Sequence, residues 1–389
     1  MELNIKKTSV CFLFFLVILY YSQGVLYSNN HIIAKISLLL FLGISFFYFI
    51  KFFLLKKIKD MMFISISLFI LLNTFGFLSA LDFSEVYIFQ YKNMLITFLP
   101  FFPIYYLASK GYIDREKIIY MFFLIFPIFV ALFYSYEKNI VDSYDIKEEN
   151  VVNNIGYYFL SIMPYTFLIK RKYLSISTFF LLFYFIILSS KRGALILAVL
   201  ALIVFLVYQF KNIERKKIIQ SIIVSIVGLI LFLKISFNQF IQNEYLISRL
   251  QRTDDGGSGR DVIYTNLWLS WYNSDNLINY LFGFGFLSST KFSGNGDLAH
   301  NDWLELLINF GILGVVIYLM FFISIFKAIL VKKLLMPYKY ALISFLLIAF
   351  FQTFFSMFYA APAAIFMTIL CAYILGSHEY DKKTLNRNF

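Results

Sequence analysis

The residues of this chain that could carry chemistry lie in its second half, and the first of them is a histidine. His300 stands where a long polar stretch gives way to an apolar run, in the segment Ala299-His300-Asn301-Asp302-Trp303. If that run is a helix, His300 lies at its N-terminus, where the helix dipole disfavours a protonated ring. A neutral, accessible imidazole can act as a general base towards a hydroxyl group. The alternative is an interfacial histidine that only caps the helix or meets solvent.

Three polar side chains follow the histidine, and each has a structural interpretation beside a functional one. Asn301 and Asp302 are of the types that cap helix N-termini, although Asn301 could instead orient the His300 ring or bind a hydroxyl-rich substrate. Glu305 lies one helical turn further and could either partner the preceding loop or hydrogen-bond to a substrate. We predict substrate-orienting roles for Asn301 and Glu305, beside His300 as the catalytic base.

Three cations, on two separate turns of the chain, could hold an anion. Lys191 and Arg192 share a short turn between two apolar runs, and Arg260 ends a glycine-rich stretch that begins at Asp254. A guanidinium fork pairs with phosphate in a bidentate manner, so we predict that Lys191, Arg192 and Arg260 bind a diphosphate. Instead of binding a diphosphate, the Arg192 side chain could reach lipid headgroups, and Arg260 could belong to a solvated turn. Asp254 and Asp255 have no further ligands clustered with them, so no metal site is predicted.

The composition predicts a membrane protein. Of the 389 residues, 61% are hydrophobic and 14% are charged, and the mean hydropathy is +0.77. One soluble core could not bury so much apolar surface, and continuous apolar runs favour helices over a β-barrel. We therefore predict an all-α polytopic membrane protein in which residues 1–389 form a single integral membrane domain. The net charge of +12 is interpreted as a sign of membrane topology, with no nucleic acid among the partners.

Apolar windows of about twenty residues predict twelve transmembrane helices. They fall at residues 9–27, 33–53, 61–80, 93–109, 118–136, 154–169, 173–190, 193–210, 218–235, 301–326, 338–356 and 359–376. Most of the 34 Lys and Arg residues lie in alternate connecting segments, which predicts that both termini are cytoplasmic and that His300 is on the opposite face. A large external loop then connects the ninth and tenth helices.

The predicted external loop, residues 236–300, contains one helical pattern. Ile263, Leu267, Trp268 and Trp271 recur at helical spacing. Two tryptophans on such a pattern predict an amphipathic helix that lies on the membrane surface.

Glycines mark two further features. Residues 283–297 contain four of them and are predicted to form turns. Gly311 and Gly314 lie three positions apart in the tenth predicted span, and we interpret them as small residues that let membrane helices pack closely.

At three places the sequence resembles the O-antigen ligase and O-antigen polymerase superfamily of bacterial envelope polysaccharide enzymes. The first is Ser190-Lys191-Arg192-Gly193-Ala194, and the second is Ser258-Gly259-Arg260 followed by Leu281-Phe282-Gly283-Phe284-Gly285. The third is Ala299-His300-Asn301 with nine residues to Gly311-x-x-Gly314. The resemblance covers roughly residues 155–376, and the histidine motif is its most specific part.

The resemblance implies a GT-C-like fold and transfer of a glycan from an undecaprenyl-diphosphate-linked oligosaccharide to the hydroxyl of a glycan or lipid A–core acceptor. Arg192 and Arg260, with Lys191 beside them, would bind the donor diphosphate, and His300 would activate the acceptor. Neither a metal nor a cofactor would be required. The enzyme would lie in the bacterial cytoplasmic (inner) membrane with its active site facing the periplasm. Membrane lipids and a chain-length regulator would be among its partners.

Three activities are compatible with this pattern. A polymerase joins a growing chain to a new lipid-linked repeat unit, whereas a ligase joins finished polymer to lipid A–core. We favour the polymerase, because the chain is divergent and aromatic-rich and a Gly283-x-Gly285 turn precedes the histidine motif. The alternative from a different class is a lipid-linked oligosaccharide flippase, which would have charged residues along a central cavity and two related halves.

Overall fold

The computed structural model describes residues 2–26, 31–54, 60–142, 153–211 and 260–385. The span predicted at residues 218–235 lies outside the described residues. Residues 236–259 of the predicted external loop also lie outside them, and these include Asp254, Asp255, Ser258 and Gly259.

Every regular element of the described residues is helical. The α-helices are α1 (Glu2–Leu26), α2 (Ile32–Leu54), α3 (Met61–Ala80), α4 (Glu85–Phe98), α5 (Phe101–Ser109), α6 (Arg115–Asp142), α7 (Gly156–Ile162), α8 (Lys172–Leu188), α9 (Arg192–Lys211), α10 (Arg260–Tyr272), α11 (Leu277–Phe282), α12 (Ser289–Phe292), α13 (Asp302–Val331), α14 (Met336–Phe355) and α15 (Ala364–Leu385). A 3-10 helix, Met163–Leu168, follows α7.

Six helices within the described ranges are long and apolar enough to cross a membrane. They are α2, α3, α6, α9, α13 and α14, and shorter apolar helices occur at Val10–Leu26 and Lys172–Leu188. The expectation of an all-α polytopic membrane protein is confirmed at this level, whereas the number twelve stays a prediction.

Two of the predicted spans are interrupted near prolines. The span predicted at residues 93–109 forms parts of α4 and α5, which meet at Leu99 and Pro100. The span predicted at residues 154–169 forms a short α-helix and then a 3-10 helix with Pro164 at its start. Proline has no amide hydrogen to donate, and its ring collides with the preceding turn. Each of these two predicted spans is therefore built from two helical segments.

Helix α13 is also interrupted, at a glycine. Gly311 has φ +62° and ψ −158°, a conformation that residues with a Cβ rarely adopt. A break frees backbone carbonyl groups from the helical ladder, and buried carbonyls need other donors. The amides of Phe284 and Gly285 supply them, donating to the oxygens of Ile308 (2.8 Å) and Asn309 (3.1 Å).

The segment that enters this break approaches α13 so closely that only glycine fits. A Cβ on Gly283 would lie 2.4 Å from the amide nitrogen of Phe310, and a Cβ on Gly311 would lie 2.5 Å from the carbonyl carbon of Leu281. Gly311 thus allows a close approach, as expected, but to α11 and at a helix break. The sequence spacing did not predict the break, because the segment that stabilises it lies about thirty residues earlier in the chain.

Aromatic rings fill the core and anchor the glycine-rich segment in it. The largest fully buried side chains of the described residues are all Tyr or Phe. Phe286 contacts the rings of Phe77, Tyr87 and Phe310, with centroid distances of 5.7, 5.9 and 6.3 Å. The first part of residues 283–297 is therefore packed into the helical bundle. The expected turns are confirmed at residues 286–288 and 293–296, and a four-residue helix, α12, lies between them.

Helix α3 packs beside α13 and contacts it at two places, the C-terminus of α13 and the residue before its break. At one end, Lys332 pairs with Asp60 at an N–O distance of 3.4 Å. Towards the other end, the ring of Phe310 lies against Gly76, where a Cβ would be only 2.5 Å from Phe310 Cε1. The break of α13 is thereby held close to the end of α3.

Candidate functional site

His300 immediately precedes the N-cap of α13 and is exposed. Its φ is +51°, in the left-handed region that residues other than glycine seldom occupy. The preceding residue, Ala299, is buried, and its amide donates to a carboxylate oxygen of Glu305. This bond ties the loop to the first turn of α13 and supports the unusual backbone at His300.

Glu305 is fully buried, and its carboxylate accepts a hydrogen bond from the loop that precedes α13. Ser289 and Asn309 lie near the carboxylate, yet no described group forms a hydrogen bond to Oε2. Of the two interpretations of Glu305, partnership with the preceding loop is confirmed. A direct contact with substrate stays a prediction.

Asn301 is the N-cap of α13 and has both ends of its amide engaged. Its Oδ1 accepts from the amides of Trp303 (3.0 Å) and Leu304 (3.2 Å). Its Nδ2 donates to the backbone oxygen of Phe354 at 3.2 Å, which links the cap to the last turn of α14. The capping role is confirmed, and the substrate-orienting role of Asn301 stays a prediction.

Asp302 does not cap its own helix, contrary to expectation. The carboxylate is fully buried and accepts from the hydroxyl of Tyr318 (2.6 Å) and from the amides of Phe358 (3.0 Å) and Tyr359 (3.2 Å). Asn301 already satisfies the free amides of the first turn, so Asp302 can reach across to the turn after α14. A contact between residues more than fifty positions apart leaves no signal in local sequence.

Arg260 begins α10 and also reaches the end of α14. Its Nη1 donates to the backbone oxygen of Phe355 at 2.9 Å. Together with the bond from Asn301 to Phe354, this satisfies two carbonyls that α14 leaves free at its C-terminus. A guanidinium has five N–H donors, so Arg260 can bind further partners while it holds this carbonyl.

The turn before α9 brings a second cation to the site. The ammonium of Lys191 lies 5.9 Å from the ring centre of Tyr157. Gly193 allows that tyrosine to approach, because a Cβ there would be 2.5 Å from the Tyr157 hydroxyl oxygen. Arg192 is the first residue of α9 and is exposed. Binding of a diphosphate by any of the three cations stays a prediction.

The charges of this site act on His300. Loss of water around the ring lowers the pKa of His300, and the positive charges of Arg260 and Lys191 lower it further, against a smaller opposing effect of Asp297. The imidazole is therefore neutral at pH 7 and has a free nitrogen that can accept a proton. Neutrality was predicted from the helix dipole, whereas the structure assigns it to desolvation and to these two cations.

Two tyrosines belong to the site and were not predicted. The Tyr264 hydroxyl lies within hydrogen-bonding reach of Arg260 and Asn301. Burial raises the pKa of Tyr264, so its hydroxyl stays protonated and can donate at neutral pH. The Tyr157 hydroxyl lies within hydrogen-bonding reach of Ser356 and is affected by the charge of Arg260. Tyr264 follows Arg260 by one helical turn, which is a usable sequence signal, but nothing in the sequence connects Tyr157 to this end of the bundle.

The arrangement combines a neutral base with positive charge and neutral hydroxyl donors. Two cations that lower the pKa of a nearby histidine also attract an anion, and tyrosine hydroxyls can add hydrogen bonds to its oxygens. Such a site can bind a phosphate-bearing group and can accept a proton from an adjacent hydroxyl.

Part of the chain matches a known family. The O-Antigen ligase family matches residues 177–319, a stretch that contains Lys191, Arg192, Arg260 and His300. No curated protein matches the chain. Residues 177–319 are therefore similar to the O-antigen ligase family, in agreement with the resemblance seen in the sequence motifs.

Proposed function

We propose that this protein transfers a glycan from undecaprenyl diphosphate to the hydroxyl of an acceptor, at the end of the bundle that carries His300. The family match supports glycosyl transfer of the O-antigen ligase and polymerase type in general terms. The observation that carries the proposal is that Arg260 and Asn301, the neighbour of His300, bind adjacent backbone oxygens at the end of α14, those of Phe355 and Phe354. The charges of Arg260 and Lys191 lower the pKa of His300 accordingly. The GT-C-like architecture is part of the same proposal.

In the proposed reaction, His300 acts on the acceptor. The neutral imidazole accepts the proton of the acceptor hydroxyl as its oxygen attacks the anomeric carbon of the donor glycan. A single displacement inverts the anomeric centre. The position of His300 supports this role, because the residue lies just before α13 and is partly open to solvent, from which a long glycan acceptor can reach it.

The cations act on the leaving group. As the bond between the anomeric carbon and the phosphate oxygen breaks, negative charge grows on undecaprenyl diphosphate. Arg260 and Lys191, with Arg192 from the same turn, stabilise that charge, and the hydroxyls of Tyr157 and Tyr264 add hydrogen bonds. Arg260 is well suited because its bond to the end of α14 fixes the guanidinium before substrate binds.

We propose a repeat-unit polymerase, in the bacterial inner membrane and with the site facing outwards. The second candidate is a ligase that joins polymer to lipid A–core, and the family match is compatible with either activity. The two differ only in the acceptor, so the same residues serve both.

Purified protein in nanodiscs, supplied with a synthetic undecaprenyl-diphosphate-linked oligosaccharide, tests the proposal. Polymer formed from this donor alone indicates the polymerase, and a product that requires added lipid A–core indicates the ligase. His300→Gln should lower the rate by about 100-fold or more. The matched control is His378→Gln, since His378 lies on α15 at the opposite end of the bundle. Normal turnover by His300→Gln rules out the proposed base. In sealed proteoliposomes, transport of the donor across the bilayer without any product indicates a flippase.

A further inference from the structure

Helix α11 presents an apolar surface that the described protein does not cover. Leu277, Ile278, Leu281 and Phe282 are 71%, 62%, 43% and 55% exposed. Four exposed large apolar side chains on six residues are more than a protein leaves in water by chance.

The place where α11 is seated indicates what covers it. The backbone of Leu281 lies against Gly311, at the break of α13. Between Asp302 and Phe310 no side chain of α13 is exposed, whereas Ile312 and many residues after it are. The break therefore separates two parts of α13. Protein surrounds the first part, residues 302–310, whereas the longer part after Gly311 carries the exposed apolar surface of a membrane span. The apolar side chains of α11 continue that surface.

The depth of α11 in the membrane can be measured along α3, which lies beside α13. The 20 residues of α3 extend about 30 Å, which equals the usual thickness of the hydrocarbon layer. Phe310 lies against Gly76, four residues before the end of α3 at Ala80, and hence about 6 Å below that end. Leu281, which contacts Gly311, lies at nearly the same level. A depth of about 5–10 Å is where amphipathic helices insert into a bilayer surface.

Neighbouring aromatic rings extend the same surface. Trp268 and Tyr272 on α10 are exposed, and their rings stack at a centroid distance of 6.3 Å. Tyr280 of α11 holds the two helices together, because its hydroxyl donates to the backbone oxygen of Tyr272 and its ring contacts Trp271 at 5.1 Å. Tryptophan and tyrosine are the residues that favour the boundary between lipid and water.

We propose that α11, with the exposed rings of α10, forms a membrane-inserted surface whose partner is the acyl chains of bilayer phospholipids. The backbone bonds of the following segment to Ile308 and Asn309 hold α11 at this depth. This segment lies in the part of the chain for which the sequence predicts an external loop. The proposal is independent of glycosyl transfer and concerns only where the lipid meets the protein.

Spin labels on single cysteines, in proteoliposomes of phosphatidylcholine, test the proposal. The background replaces Cys11 and Cys371 by serine, and labels are placed at Ile278→Cys, at Val316→Cys on the exposed face of α13, and at Asn295→Cys in the exposed loop. We expect the label at residue 278 to resemble that at residue 316, with high accessibility to oxygen and low accessibility to a nickel chelate. The label at residue 295 should show the reverse.

Two outcomes overturn the proposal. Accessibility to nickel at residue 278 equal to that at residue 295 means that water covers α11. Shielding of residue 278 from both reagents means that protein covers it, from a second copy or another chain.

A measurement without labels uses brominated phosphatidylcholine, which should quench the fluorescence of the native protein more than that of Trp268→Phe. Equal quenching of the two proteins contradicts insertion.

Discussion

Replacement of Glu305 tests how the His300 loop is held. In Glu305→Ala the buried amide of Ala299 loses its acceptor, which costs about 1–3 kcal/mol. The left-handed backbone at His300 is itself unfavourable by about 1–3 kcal/mol and persists only when its surroundings impose it. Since about 1.4 kcal/mol corresponds to a factor of ten, the population of loops with a correctly placed imidazole should fall about 10- to 100-fold.

Glu305→Gln separates the hydrogen bond from the charge. Glutamine keeps a carbonyl oxygen that can accept from Ala299, and it replaces an ionisable buried group, whose Oε2 has no hydrogen bond from the described residues, by one that cannot ionise. The charges that act on His300 come from Arg260, Lys191 and Asp297, so the pH profile should not change. We expect kcat within about threefold of the wild-type value for Glu305→Gln.

The assay is glycan transfer from a synthetic undecaprenyl-diphosphate-linked oligosaccharide, with equal amounts of folded protein taken from size exclusion. For Glu305→Ala the loss should be in kcat, with KM for the donor nearly constant, because the cations are untouched. Glu85→Ala, at an exposed site in the first turn of α4, is the matched control. If Glu305→Gln is as inactive as Glu305→Ala, the carboxylate charge or its proton is needed. If Glu305→Ala is fully active, the loop is held by something else.

Three further predictions concern the base, the cations and the break. Because the pKa of His300 is lowered from 6.5, kcat/KM should rise with pH and level off below pH 6.5, and a fall over that range contradicts a neutral base. Arg260→Lys and Arg192→Lys keep the charge but lose the guanidinium fork, so donor binding should weaken by about tenfold in isothermal titration; unchanged binding refutes a bidentate clamp at that residue. Gly283→Ala should lower the free energy of unfolding by more than about 2 kcal/mol, whereas Gly43→Ala, with open space around its Cβ, should cost nothing; similar midpoints in thermal unfolding would contradict the packing at the break.

The sequence alone predicts the chemical components of this site. Composition and apolar runs indicate an all-helical membrane protein, because lipid leaves the backbone few other ways to satisfy its polar groups. Local types and spacing identify His300, the cations Lys191, Arg192 and Arg260, and the helix that begins after Asn301. The membrane class and the helix that begins after Asn301 are confirmed, because each depends on short stretches of chain, whereas the roles of His300 and the cations stay predictions.

Only the tertiary structure shows how these components are held. Asp302 holds the turn after α14, Arg260 and Asn301 close the end of α14, and Tyr157 approaches across Gly193. The break at Gly311 exists because amides from a distant segment satisfy the carbonyls it frees. Each of these contacts joins residues between about 25 and 100 positions apart, and such pairs leave no periodic pattern in a single sequence. The sequence therefore determined which groups are available for chemistry, and the packing of the helices decided which of them meet.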